Sequence, residues 1–184
     1  MRLELPPLPV RRLIAVEHCD ECGFDYDLEA LRPIDALLRS GVVPYLAVLK
    51  AAPAVLRRRP RPDTWSALEY ACHLRDMMLV QREKVLRALV EDVPIFVPMH
   101  RDERVELEHQ NEQDPTLVGE ELVIATGLLA DLFGVLDDDQ LERTGVYNYP
   151  TPQERSIRWI GVHTLHECRH HLLDIDKFLN RASE

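Results

Sequence analysis

Between Trp159 and Ile175 the chain places four of its eight histidines, His163, His166, His170 and His171, within nine residues, with Glu167 among them. Imidazole and carboxylate are the side chains that hold divalent cations and move protons near neutral pH. No helix breaker follows Gly161, and residues four apart on an α-helix share a face. His163–Glu167, Glu167–His171 and His166–His170 are three such pairs. On an ideal wheel with Trp159 at zero, Ile160, Leu165, Cys168, Leu172, Ile175, Phe178 and Leu179 fill an arc from about 100° to about 240°. Glu167, at about 80°, borders that arc and His171, at about 120°, lies inside it. His166 and His170, at about 340° and 20°, point away from it beside Lys177. A carboxylate turned towards a core is costly unless paired or coordinated. A divalent cation would compensate it, and the four-residue spacing supplies two ligands from one helix. A solvated face of paired imidazoles is the competing reading of this helix taken alone.

A third ligand has to come from elsewhere. Ser66 and Glu69 form a capping box that opens a helix from about Ala67 to Glu91. Its main apolar stripe is Leu68, Ala71, Cys72, Leu79, Leu86, Leu89 and Val90. His73 sits off that stripe with Tyr70, Met77 and Val80, where a lone histidine is more often a satisfied packing residue than a ligand. Glu69 and Asp76, one turn from His73, are candidate general bases, although helix-face charge is the commoner explanation for such residues. Asp174, three residues after His171, could orient a ligand or bind substrate. Cys19 and Cys22, in Cys-Asp-Glu-Cys-Gly-Phe, form half of a zinc knuckle. The other cysteines, Cys72 and Cys168, are isolated on helices, so the half-site reads as a tight turn with two reduced thiols unless the fold completes it.

The elements around these residues are mostly helical. Seven glycines in 184 residues and few alternating β-branched runs point to an α-rich fold of one domain. Residues 1–27, with Pro6, Pro7 and Pro9, read as an extended arm, and residues 28–184 as a helical bundle. Residues 28–58 form a first long helical element, open to breaks at Pro33 and Pro53. Arg57-Arg58-Arg59-Pro60-Arg61-Pro62 reads as a solvated basic linker. Residues 94–114 read as a long connection, of a length that often covers a pocket, with His100 and His109 in it. Asp114-Pro115 starts a helix to about Leu136, with Leu117, Ile124, Leu128, Leu132 and Leu136 as its apolar stripe. Asp137-Asp138-Asp139 lacks the glycine and closing glutamate of a calcium loop and reads as a solvated turn. A short extended piece spans Arg143–Tyr147, and a last helix spans about Ser156 to Arg181.

A net charge of −10 argues against nucleic acid or an anionic membrane as the main partner. No apolar run is long enough for a membrane span and no signal-peptide pattern opens the chain, so a cytoplasmic protein is expected.

Two segments carry a family resemblance. Thr64-Trp65-Ser66-Ala67-Leu68-Glu69-Tyr70-Ala71-Cys72-His73-Leu74-Arg75-Asp76 and His166-Glu167-Cys168-Arg169-His170-His171-Leu172-Leu173-Asp174-Ile175 resemble the second and fourth helices of the DinB-like superfamily, with the whole chain similar to an actinobacterial-type member. The likeness spans roughly residues 40–180 and implies an all-α four-helix bundle, here with an irregular N-terminal arm. It implies a metal triad of one histidine from the second helix and two ligands from the fourth. Carried over, these are His73, Glu167 and His171, with His166 and His170 as the rival pair. Glu167, His171 and Asp174 match the Glu-x-x-x-His-x-x-Asp of the mycothiol-dependent maleylpyruvate isomerase branch. Two histidines and a carboxylate with open positions suit zinc, nickel or manganese.

Such a cation lowers the pKa of a water or a thiol and polarises a carbonyl. The resemblance implies a metal-dependent thiol S-transferase that takes a low-molecular-weight thiol such as mycothiol and a small-molecule electrophile. No counterpart of the isomerase's substrate domain follows residue 184, so isomerisation itself is not expected. The alternatives are a metal-dependent hydrolase of an amide or ester, and a non-enzymatic metal-stabilised bundle in stress response or partner binding, which a homodimer would fit.

Overall fold

The computed structural model describes residues 18–148 and 151–179; the proline-rich stretch with Pro6, Pro7 and Pro9, and Pro150, lie outside them. Helices α1 (Ile34–Gly41), α4 (Ala67–Val90), α6 (Pro115–Val135) and α8 (Ile157–Leu179) form a bundle in which α1 and α4 each pack on both α6 and α8. The first long element is broken, as its prolines require. Pro33 caps α1, Pro44 lies in the first turn of α2 (Val43–Val48), and Pro53 begins α3 (Pro53–Leu56) rather than kinking a continuous helix. Tyr45 joins this element to the last helix by donating its hydroxyl to the Cys168 carbonyl at 2.8 Å.

The capping box of α4 forms as its sequence predicts: Ser66 Oγ accepts from Glu69 N–H and Glu69 accepts from Ser66 N–H. Its first three turns, residues 67–78, are buried on every side. Helices α6 and α8 cover part of that surface and the connection from 94 to 114 covers more of it, and the connection is not structureless. It contains α5 (Arg101–Leu107) and a 3₁₀ turn (Gln110–Glu112), which lie against α4. Gln110 donates to Asp76 and Ser66 donates to Asn111 across that contact, at 2.8 Å each. Leu79 and Val90, expected on the core stripe of α4, are instead exposed, and Leu74, Met78, Val85 and Ala88 take their place.

The stripe expected on α6 is rotated. Val118, Leu122, Ala125, Leu129 and Phe133 face the core, while Leu117, Ile124 and Leu128 are exposed. This helix is apolar nearly all round, so two sets of positions satisfy helical spacing and periodicity does not choose between them. The basic linker is not simply solvated either. Arg59 Nε donates to both carboxylate oxygens of the fully buried Glu69, at 3.0 and 2.9 Å, and Arg57 donates to the carbonyls of Asn111 and Gln113.

Asp137 caps α7 (Asp138–Leu141), and Asp138 pairs with Arg158 at 3.0 Å, so the acidic run is a helix start held by ion pairs. Two hairpins complete the structure. Strand β1 (His18–Cys19) pairs with β2 (Phe24–Asp25), and β3 (Thr144–Tyr147) with β4 (Gln153–Ser156), both antiparallel. Strand β4 leads directly into α8. A Cβ at Gly161 would lie 2.9 Å from Phe133 Cζ and 3.0 Å from Ile34 Cγ2, so only glycine lets α8 sit this close to α1 and α6. Among the described residues no helix is long and apolar enough to cross a membrane.

Candidate metal centre

Helices α4 and α8 pack together and bring His73, Glu167 and His171 to one place. One ligand atom from each lies within 4.8 Å of the others, although ninety-four residues separate the first two in sequence (167 − 73). The rings of His73 and His171 are 5.0 Å apart, centroid to centroid. Trp65 tilts against the other side of the His73 ring at 5.0 Å, so His73 is held by packing from the helix start.

The donor set fits a cation. Both ring nitrogens of His73 are buried without a hydrogen-bond partner, which is costly for a polar group unless something else coordinates one of them. Burial, with the neighbouring His171, lowers the His73 pKa to about 3, so the ring is neutral and keeps a lone pair at any physiological pH. His171 Nε2 is 3.2 Å from Glu167 Oε2 and its Nδ1 is 3.5 Å from Asp174 Oδ2. An Nδ1–H facing Asp174 leaves Nε2 for coordination, the usual arrangement of a carboxylate behind a ligating imidazole.

Glu167 is the hub. Besides His171, its Oε1 lies 3.1 Å from His166 Nδ1 and 3.8 Å from His163 Nε2. Burial works against its charge, but the contacts with His166 and His171 outweigh it and hold the carboxyl well below the usual range. His171 responds in kind: burial lowers its pKa, while Asp174 and Glu167 raise it further, to about 9.

That value has a consequence for metal uptake. Without a cation His171 is protonated at neutral pH, so coordination through it must expel a proton. Manganese affinity should therefore climb about tenfold per pH unit up to about pH 9 and then level off. Asp174→Asn, which removes the carboxylate behind Nδ1 and one cause of the raised pKa, should bring the levelling-off to a lower pH. Chelator competition at several pH values locates both break points.

Two cavities meet at the triad. His171 lines an open cleft of about 890 Å³ with Trp65, Tyr70, Asp174 and the cationic Arg59 and Lys177. His73 and Glu167 line a smaller cavity of about 280 Å³ whose roof, Phe96 to Glu103, belongs to the long connection. His100 is in that roof, while His109 lines neither cavity.

The candidate bases one turn from His73 are not free. Glu69 is locked to Arg59 and the Ser66 amide, and Asp76 to Arg75 and Gln110. Lys84, Tyr147 and His163 line the smaller cavity and did not emerge from the sequence as a group. Burial lowers Lys84 to about 8, and its Nζ lies 4.1 Å over the Tyr147 ring. The usable signal was the spacing of Met77, Val80 and Lys84 along the helix from His73, a strip that continues the one already noticed.

His166 and His170 do point away from the bundle core, but not into water. His166 is buried, and both rings lie beneath the β1–β2 hairpin with Cys19 and Cys22. The four cysteines are free. Burial pushes Cys72 and Cys168 up to about 12, which leaves them inert. Burial raises Cys19 too, yet the backbone N–H groups of Cys22 and Glu21 and the rings of His166 and His170 bring it down to about 6.

Comparisons with known proteins agree with this architecture. YfiT from Bacillus subtilis, described as a probable metal-dependent hydrolase with an unusual four-helix bundle topology, superposes with a TM-score of 0.62 at 18% identity, covering 83% of this chain and 85% of that one. The mycothiol-dependent maleylpyruvate isomerase superposes with a TM-score of 0.64 at 15% identity, covering 80% of this chain but only 60% of that one. At such identities the likeness is one of fold. No curated protein matches the sequence. The family model of the DinB superfamily matches residues 43–175, which run from the start of α2 to near the end of α8 and take in α4 and α6, and the chain belongs to that superfamily.

Proposed function

We propose that this chain is a metal-dependent thiol S-transferase. His73, Glu167 and His171 hold a divalent cation of the zinc, nickel or manganese type, and a low-molecular-weight thiol such as mycothiol is the co-substrate. One observation carries the reading: two cavities of different character converge on one triad. A thiol transferase must seat two organic reactants beside one cation, and two cavities of different polarity give each a place. The larger cleft, with Arg58, Arg59, Arg61 and Lys177, offers donors to a polar, hydroxyl-rich or anionic thiol. The smaller, with Met77, Val80, Phe96 and Met99, offers apolar walls to an electrophile.

When bound, the cation supplies Lewis acidity that favours a thiolate over a thiol. The chain's own groups do the rest. Asp174 keeps His171 oriented with Nε2 towards Glu167. Lys84, with its pKa lowered to about 8, can give a proton to the product as it forms. The segment from Phe96 to Glu103, which ends in the first turn of α5, roofs the smaller cavity.

Metal-loaded protein incubated with mycothiol and an activated alkene should consume both reactants at equal rates, and simple esters should not be hydrolysed. His73→Ala should lower that rate by more than about 100-fold, since losing a ligand exceeds the effect of losing a residue behind one. Ester or amide hydrolysis without any thiol would favour the hydrolase. Bound metal with no turnover of either kind would favour a non-enzymatic bundle.

A further inference from the structure

We propose a second cation site, formed by Cys19, Cys22, His166 and His170, which takes zinc and pins the N-terminal hairpin to α8. One ligand atom from each residue lies within 4.8 Å of the others, close enough for two sulfurs and two nitrogens to share one tetrahedral zinc. The ligands come as two local pairs: Cys-x-x-Cys on a hairpin turn and His-x-x-x-His on a helix. That is the donor spacing of a closed Cys₂His₂ site, but here the halves are distant in sequence.

The turn is built for the task. Gly23 takes φ +65° and its N–H donates to the Cys19 carbonyl at 2.8 Å, which folds Cys22 back towards Cys19. Each histidine presents one nitrogen to the sulfurs and the other to a carboxylate. His166 Nδ1 faces Glu167 Oε1 at 3.1 Å, and its Nε2 is buried with no hydrogen-bond partner in a residue only 9% exposed. His170 Nδ1 is 3.6 Å from Cys19 Sγ, and its Nε2 is 3.5 Å from Glu21 and 3.8 Å from Asp174. A carboxylate behind each imidazole sets the tautomer a ligand needs.

The placement also says what the site does. The hairpin covers α8 immediately behind the His73, Glu167 and His171 triad, and Phe24 and Tyr26 pack on the His166 ring at 5.5 and 5.3 Å. Glu167 and Asp174 touch histidines of both sets. With four protein ligands the second centre is closed and structural, and it holds the carboxylate that the first one uses.

The test needs no substrate. Cobalt-loaded full-length protein should show the thiolate-to-cobalt charge-transfer band and strong visible absorption of a tetrahedral sulfur-ligated ion. Both should disappear in Cys19→Ser and in Cys22→Ser, and persist in His73→Ala. Should the cysteine variants misfold, the wild type still decides. Zinc should protect Cys19 and Cys22 from alkylation at least tenfold, and a chelator should restore their reactivity. A cobalt spectrum without thiolate charge transfer, or alkylation at one rate with zinc and with chelator, would overturn the proposal.

Discussion

Glu167→Gln should lower cation affinity at the His73 triad by about 100-fold or more, and weaken zinc at the cysteine-bearing site by about 10- to 100-fold. The first effect comes from charge. Glu167 is the anionic member of the triad, and its Oε2 lies 3.2 Å from His171 Nε2. An amide of the same size keeps the shape and removes the Coulomb attraction, which is large for partly buried groups. The second effect comes from geometry. Oε1 holds His166 Nδ1 at 3.1 Å, and a glutamine can offer its one oxygen to that ring or to the triad, not to both. Removing the carboxylate also takes away one cause of the raised His171 pKa, so metal uptake should stop depending on pH at a lower pH than in the parent. Isothermal titration with manganese and zinc measures each loss. Unchanged affinity for both ions would mean that Glu167 is only an ion-pair partner of the surrounding imidazoles.

The parts of this site that the sequence made legible are those with a local rule. The Ser66–Glu69 box places the start of α4, and four-residue spacing puts Glu167 and His171 on one face. The resemblance supplied His73, which spacing alone leaves as a packing residue. What stayed hidden depends on contacts between distant segments. A helical wheel separates core from non-core, but the side of α8 away from the core is covered by a hairpin more than 140 residues earlier (166 − 22 = 144), so His166 and His170 look solvent-facing when they are not. The same holds for Arg59, a linker residue by composition whose partner is a fully buried carboxylate. On α6 the difficulty was different: apolar residues on every side leave no period from which to read orientation.

Arg59→Ala should destabilise the fold by about 3 kcal/mol, near the lower end of what breaking a buried ion pair costs. Its partner decides the size. Exposed pairs are worth little, but Glu69 is fully buried and would keep only the Ser66 amide, at 2.7 Å, and the positive end of α4 as compensation. The damage should not stop at stability. Glu69 fixes the first turn of α4, where Trp65 packs on Tyr70 at 5.4 Å and on His73 at 5.0 Å, so metal affinity should fall as well. Adding Glu69→Gln to Arg59→Ala should recover most of the lost stability, because glutamine closes a capping box without a charge to bury. Chemical denaturation of the two variants beside the parent measures this. A loss below about 1 kcal/mol for Arg59→Ala would mean that the Ser66 amide and the start of α4 compensate the buried carboxylate without the guanidinium.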